Sequence, residues 1–561
     1  MQAFRKVRNI LLPPRKNDIR LRCAIAVRYS EDNNEQNRSL LSEENENDYG
    51  VVTGTIDVNE KNNETERESR FLFIKKIGLY ISSKFERQKE DIKNVEELED
   101  EEYYISSPLD TFIGAAVDIA GSIYVLFIVL GLLIAWIVWG CISHGTDTWQ
   151  IVMQDGQSIQ TYVWNTFLMR QQMDNDEKLL ILYGRLKSRS LTHKRLLEKL
   201  VENRSTSIDL ESFLKYENDR QANDENSKKL IDFRNKNLYD KISYIVSNIL
   251  GSLPAVFIYW AGIFIWIGCG KIKVNEGTPD APILTSFSNS WQMYINTATA
   301  IELLITTVFL ENVRNRANDS ILIQTETFNN IDSDLEFLLR EVNENDSIEN
   351  EMVVVKRCPR DMIQRCISFY AHVVGNGLGL VISICVFSAW LGIGNLMHWS
   401  ANWWLVIGSY TGLVGFIDGF VLREVFFSIT NYEQNKFLDL LSDSQELLDT
   451  AGIPVDLESP KIEKTWGNKI SIFINSICSN KWSVVVSFVI VIGLVIFASS
   501  LLWSETAQLV ANTPTMIIEG FFLLILVQAH NWASEERKFT LSELNKSRVL
   551  LYNYIKKNHV S

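Results

Sequence analysis

The chain has 561 residues, 46% of them hydrophobic, and a formal net charge of −14. Size and composition alone would suit a soluble protein of two or three domains. The acid is gathered in stretches such as Glu90 to Glu102 and no basic stripe accompanies it, which excludes a nucleic-acid partner.

Residues 1–110 are rich in Asn, Asp and Glu, with too little apolar periodicity for a packed domain, and are predicted to form a largely disordered cytosolic region. The apolar stretch Cys23 to Val27 is too short for a signal peptide, so the first membrane helix is expected to direct insertion.

Beyond this region come four runs without a charged residue: Ala120 to Ile142, Val246 to Gly270, Val373 to Leu396 and Ser483 to Trp503. Each exceeds the roughly 20 residues that a helix needs to cross about 30 Å of hydrocarbon. Helices of a soluble core that long usually carry a polar stripe, which these lack. After a short gap, each run is followed by a second segment of membrane length bearing amides, hydroxyls or a carboxylate. Trp149-Gln150 leads to Gln154-Asp155, Trp291-Gln292 to Asn296-Thr297, Trp403-Trp404 to Gly408-Ser409, and Gln508 to Asn512-Thr513.

The pattern predicts an all-α polytopic membrane protein of about eight transmembrane helices, built as four two-helix repeats over 111–175, 244–318, 371–430 and 482–540. Cytosolic loops then occupy 176–243, 319–370 and 431–481, with a cytosolic tail at 541–561. Within the first loop, Leu179 to Leu200 reads as an amphipathic helix whose apolar face docks on neighbouring helices or on the lipid surface. Trp149 to Arg170 is too polar to face lipid; it crosses with its polar face turned inward, or it is re-entrant and changes the parity of the count.

Even parity puts both termini on one side. The segments after the second helices are basic (Arg185, Lys187 and Arg189; Arg314, Arg316 and Lys356; Arg537, Lys538 and Arg548), whereas the gaps within pairs hold only Lys271 and Lys273. Basic loops and both termini are therefore expected in the cytosol. Six Asn-x-Ser/Thr sites, at Asn37, Asn63, Asn203, Asn318, Asn345 and Asn545, fall on that side, so the protein is expected to carry no glycan. The seven cysteines show no close paired spacing and are expected to be free thiols.

Ionisable groups within a span cost roughly 2.5 to 3.5 kcal/mol each and are seldom kept without a use. Asp155, Glu302, Asp418 and Glu519 are such groups. Asn512 and Glu519 share a helix face, with His530 three turns along the same stripe. Oxygen ligands with one imidazole suit a divalent cation, and groups from different repeats could converge on the bundle axis. Asp418 is equally open to structural pairing with Arg423. Asn296, Thr297, Asn512 and Thr513 serve either the path or helix-helix hydrogen bonds. Glu311, Asn312 and His372 lie at the membrane boundary, and His144 and His398 lie in the outer gaps. No phosphate loop, H-E-x-x-H or nucleophile elbow occurs, so the sequence offers nothing for ATP-driven pumping or enzymatic hydrolysis.

The stretch Trp291-Gln292, Asn296-Thr297, Phe309-Leu310, Asn312, Asn315 and Arg316 resembles the core motif of the low-affinity iron permeases. From about Leu109 onward the chain is similar to the fungal members: Trp149 to Gln160, Trp403 to Glu424 with Asp418-Gly419-Phe420, and Asn512 to Asn531 all fit. The resemblance implies low-affinity Fe(II) uptake across the plasma membrane, with zinc, copper and manganese as lesser substrates and no permanently bound cofactor. The expected partners are the transported ions and the lipid bilayer; a homo-oligomer is left open. Asp155, Asn296, Asp418, Asn512 and Glu519 are the candidate path residues, with Gln154, Gln157, Thr297, Thr513 and His530 in support. Glu302 lies outside the fungal pattern and reads as a variant position. A monovalent cation channel or a membrane scaffold is the alternative class.

Overall fold

The computed structural model describes residues 18–26, 108–202, 238–275, 284–460 and 466–559. Nearly all of the expected disordered region, and the loop segment 203–237, lie outside them. The described part is mostly helical. Each repeat holds three helices where two were expected: a helix of 13 residues, an apolar helix, and a very long helix. Repeat 1 comprises α1 (Pro108–Ala120), α2 (Ile123–Ser143) and α3 (Asp147–Glu202). Repeat 2 comprises α4 (Leu238–Leu250), α5 (Leu253–Cys269) and α6 (Asn289–Val342). Repeat 3 comprises α7 (Met362–Val374), α8 (Gly377–Ile393) and α9 (Ala401–Thr450), and repeat 4 comprises α10 (Trp466–Cys478), α11 (Lys481–Ser500) and α12 (Glu505–His559).

Three of the uncharged runs are thus interrupted near their beginnings, at Gly121-Ser122, Gly251-Ser252 and Gly375-Asn376, and in the fourth repeat the break at Ser479-Asn480 falls just before the run. The second residue of each pair is a helix N-cap. Ser122, Ser252 and Asn480 accept backbone N–H groups of Val125, Ala255 and Trp482, which restarts the helix in a new direction. The bends are 55° between α4 and α5 and 64° between α7 and α8. Among the described residues, α2, α6, α9, α11 and α12 are long and apolar enough to cross a membrane, and the two bent pairs raise five spans to seven. The amide-rich α3 is not among them, so the described residues fall short of the eight crossings expected.

The long helices run straight through the segments read from sequence as membrane helix and cytosolic loop. Leu179 to Leu200 is the second half of α3, not a separate element, and its apolar face is buried against α6, α9 and α12 rather than lipid. The four long helices stand parallel and pack in the cyclic order α3, α6, α12, α9, so that α3 faces α12, and α6 faces α9, across the axis. The apolar helices form an outer layer in which Phe127, Ile134, Phe257, Ile265, Ile384, Val489 and Ile496 are exposed, as lipid contact requires.

Each outer helix also leans on the next long helix of the ring: α2 on α6, α5 on α12, α11 on α9, and α8 on α3. Trp136–Trp149, Trp266–Trp291 and Trp390–Trp403 tie three of them back to their own long helices. These rings stack at 3.9, 3.9 and 4.2 Å, and each indole N–H donates to the backbone carbonyl of its partner. His144 and His398, in the gaps, occupy left-handed positions with φ 55° and 52°; His144 caps the end of α2.

At the far end a small antiparallel pair, β1 (Asp18–Leu21) with β4 (Val353–Lys356), lies on α3, where Leu21 and Val355 pack over Gly184. A second pair, β2 (Val274–Asn275) with β3 (Leu284–Thr285), joins α5 to α6.

Candidate functional site

Two contacts between facing helices locate the axis. The Asn165 side-chain amide on α3 donates to Glu519 on α12 at 3.4 Å, and Arg548 on α12 donates to Ser190 on α3, also at 3.4 Å. Asn165 and Ser190 are about seven helical turns apart, so the same face of α3 points inward throughout. Counting by turns from these anchors places Gln154, Asn296, Gly408 and Asn512 in one axial layer. Thr161, Leu303, Gly415 and Glu519 follow two turns on, and Asn165, Thr307, Gly419 and Leu523 one turn further.

The polar residues that make α3 unfit for lipid are therefore covered by protein: Gln150, Gln154, Asp155, Gln157, Thr161 and Asn165 are all buried. Gln154 donates to Thr297 at 3.1 Å and to the Met293 carbonyl, and Thr297 donates to Gln150, which joins α3 to α6. Gln157 donates to Thr161 at 2.7 Å. Asn296 is fully buried, and neither of its amide atoms has a hydrogen-bond partner in the protein. One oxygen each of Asp155 and Asn512 is in the same position. Buried polar atoms of this kind are satisfied by water or by an ion.

Helix α9 presents glycine to the axis. A Cβ on Gly408 would lie 3.1 Å from Asp155, one on Gly412 would collide with Asn512, and one on Gly415 would come within 2.7 Å of Glu519. The missing side chains leave room for acid and amide groups from the two adjacent helices. A cleft of about 410 Å³ between α2, α3 and α6 reaches Gln150 and Thr297 from the side.

The remaining candidates lie elsewhere. Asp418 accepts the Tyr370 hydroxyl at 2.8 Å and is turned towards the outer helix α7; its expected partner Arg423 instead reaches Asn475 and the Phe522 carbonyl. Thr513 bonds back to the Leu509 carbonyl. His530 is buried deeper in the bundle with its ring 4.0 Å from Phe426. Glu302 accepts from Thr306 and packs against Gly520, off the axis. Glu311 and Asn312, placed by the sequence at the membrane boundary, are buried, and Asn312 donates to the Gly121 carbonyl at the first helix break. Among the described residues, no three His, Cys, Asp or Glu side chains gather closely enough to hold one ion. The expected convergence is not seen among the described residues; oxygen-bearing side chains are instead spread along the axis. Asn165, Thr161, Gly412 and Gly415 belong to that axial stretch and were missed from sequence; aligning the repeats on Trp149, Trp291, Trp403 and the equivalent Ala507 would have placed them in register.

Residues 468–559 match the family model described as low affinity iron permease. The chain is 41% identical over 457 residues to a low-affinity Fe(2+) transport protein of Saccharomyces cerevisiae, covering 79% of this chain and 82% of that protein. It is 39% identical over 434 residues to a low-affinity iron/zinc ion transport protein of Schizosaccharomyces pombe, covering 77% of this chain and 71% of the relative. No solved structure matches.

Proposed function

Because the chain belongs to the low-affinity iron permease family, we propose that it carries Fe(II) across the plasma membrane along the axis of the four long helices, with zinc, copper and manganese as lesser substrates. The observation that carries this reading is the buried, oxygen-lined stretch from Gln154 to Glu519, in which Asn296, Asp155 and Asn512 keep polar atoms unpaired by protein. Amide, hydroxyl and carboxylate oxygens suit hard divalent ions, and a string of weak sites lets an ion leave as readily as it enters.

In this reading α3 crosses the membrane with its amides turned inward, which completes eight crossings and keeps both termini in the cytosol. Asp155 and Glu519 supply charge, and Asn296, Asn512, Gln154 and Gln157 supply neutral oxygen. Thr297 ties α6 to α3, and Thr513 is turned back on its own helix; Asp418 and His530 stand aside from the oxygen-lined stretch. A divalent ion falling through 100 mV, negative inside, gains about 4.6 kcal/mol, enough to drive uptake without a nucleotide.

The test is radiolabelled Fe(II) uptake into cells lacking their own iron systems, with and without this protein, corrected for surface expression. Glu519→Gln and Asp155→Asn are expected to raise the apparent KM at least fivefold or abolish uptake, while Asp418→Asn keeps the wild-type KM. Wild-type uptake by both axial variants would overturn the path, and Rb⁺ flux that Fe(II) does not compete with would point to a monovalent channel.

A further inference from the structure

Nineteen residues beyond Trp149, Trp291, Trp403 and the equivalent Ala507, all four long helices carry leucine: Leu168, Leu310, Leu422 and Leu526. They fall on the axial stripe, one turn below the layer of Asn165 and about two turns below Glu519. Leu168 and Leu310 are fully buried, Leu422 and Leu526 are 2% exposed, and all four belong to one packed apolar cluster. No other layer of the oxygen-lined stretch or its floor has the same side chain from every repeat.

The next layer down changes character. It holds Gln172, Arg314, Phe426 and His530. Arg314 is buried, donates to Gln172 at 2.9 Å and reaches the carbonyl of Leu168 itself at 3.4 Å. Below the apolar ring, then, a fixed cation stands on the route. An ion leaving Glu519 must shed its water to enter an apolar ring and then approach a like charge in a medium that screens poorly.

We infer that Leu168, Leu310, Leu422 and Leu526 form the barrier that decides which ions traverse the axial path and how fast, with Arg314 beneath them adding charge discrimination. The ring closes the path in this conformation, and transport requires it to widen or become wet. The inference rests on the proposed Fe(II) path, but it makes a claim of its own about monovalent ions.

Leu168→Ser, Leu526→Ser and Leu526→Phe are compared with wild type in cells lacking iron uptake, reading radiolabelled Fe(II) and Rb⁺ together and correcting each rate for surface protein. The serine variants are expected to raise Rb⁺ uptake at least tenfold and the Fe(II) rate at least threefold. Leu526→Phe is expected to lower the Fe(II) rate at least fivefold with an unchanged KM. A serine variant that does not reach the surface is replaced by alanine at the same position and read in the same way. Surface-expressed variants with wild-type rates for both ions, or with both rates lost alike in the serine and phenylalanine forms, would overturn the barrier. Absence of Fe(II) uptake by wild type would overturn the transport reading alone, since a Rb⁺ leak confined to the serine variants would still establish the ring.

Discussion

Gly415 on α9 and Glu519 on α12 face each other so closely that a single methyl group decides where the carboxylate sits. The clearance of 2.7 Å to a built Cβ is below any ordinary contact, so Gly415→Ala must push Glu519 off its position beside Asn165. The expected outcome is a several-fold rise in the KM for Fe(II) at normal surface expression, measured by tracer uptake. Gly493→Ala on α11, where nothing lies within 4 Å of the added carbon, serves as the unaffected control. A second single-residue effect sits in the distal half of the bundle. His193 is fully buried 3.6 Å from Asp332, and burial pushes its imidazole down to about 4, against the opposing pull of Asp332. The unfolded chain takes up a proton near the ordinary pKa of about 6.5 while the folded chain does not, so stability falls as pH drops from about 6.5 to 4 and no further below that. The loss amounts to roughly 3 kcal/mol at most. His193→Gln is expected to flatten the pH dependence of thermal unfolding within that window and to leave it unchanged above pH 7.

At the scale of elements, the tryptophan clamps show how one device was used three times and omitted once. A glycine lies eighteen residues after the N-cap of each of these outer helices: Gly140 and Gly270 sit against their clamps, and Gly394 sits against Trp399 beside the third. A Cβ on Gly140 would strike the Trp149 ring, and one on Gly270 would come within 3.0 Å of Trp291. In the fourth repeat the long helix carries Ala507 in place of tryptophan, and the corresponding small residue is Ala498, which has a Cβ and is fully buried. Gly140→Ala is therefore expected to destabilise the protein by about 1–3 kcal/mol through overpacking, and Trp403→Phe by about 1 kcal/mol through loss of the indole hydrogen bond. Melting temperature in detergent would read both. The repetition itself was legible because Trp149-Gln150, Trp291-Gln292, Trp403-Trp404 and Gln508 precede polar clusters at constant spacing. The helix breaks were not, since Gly121-Ser122 and Gly251-Ser252 are uncharged and vanish within an apolar run. Nor was the continuity of α3, because its charge content from Asp174 onward resembles a solvated loop, and only packing against three sister helices makes that stretch part of one element. The axial site was half legible for the same reason: Asp155, Asn296, Asn512 and Glu519 carry polarity that a sequence displays, whereas the glycine face of α9 and the side to which Asp418 turns depend on which helix is its neighbour.

For the molecule as a whole, the cyclic order α3, α6, α12, α9 means that repeats 2 and 3, consecutive in sequence, stand diagonally opposite. The four parallel helices could in principle slide past one another by a turn without changing their apolar contacts. A polar layer resists this. Ser190, Asp332, Ser444 and Arg548 occupy the same register in the four repeats, and Arg548 reaches all three of the others: Asp332 at 2.7 Å, Ser444 at 3.2 Å and Ser190 at 3.4 Å. All four are buried. Burial alone would raise the Asp332 carboxyl, yet His193, Arg548 and Arg189 around it hold it below the usual range. A buried polar group fixes register at some expense of stability. Removing one partner leaves the other charge stranded, so Arg548→Met is expected to destabilise the protein by about 3–5 kcal/mol. The double variant Arg548→Met with Asp332→Leu is expected to recover most of that loss, because the layer is then uniformly apolar or neutral. Thermal unfolding of the purified protein gives the stability of both. Uptake gives the more telling result: if the layer sets the alignment of the path above it, the double variant regains its melting temperature while its Fe(II) uptake stays reduced, whereas full recovery of both would make Arg548 a matter of stability alone.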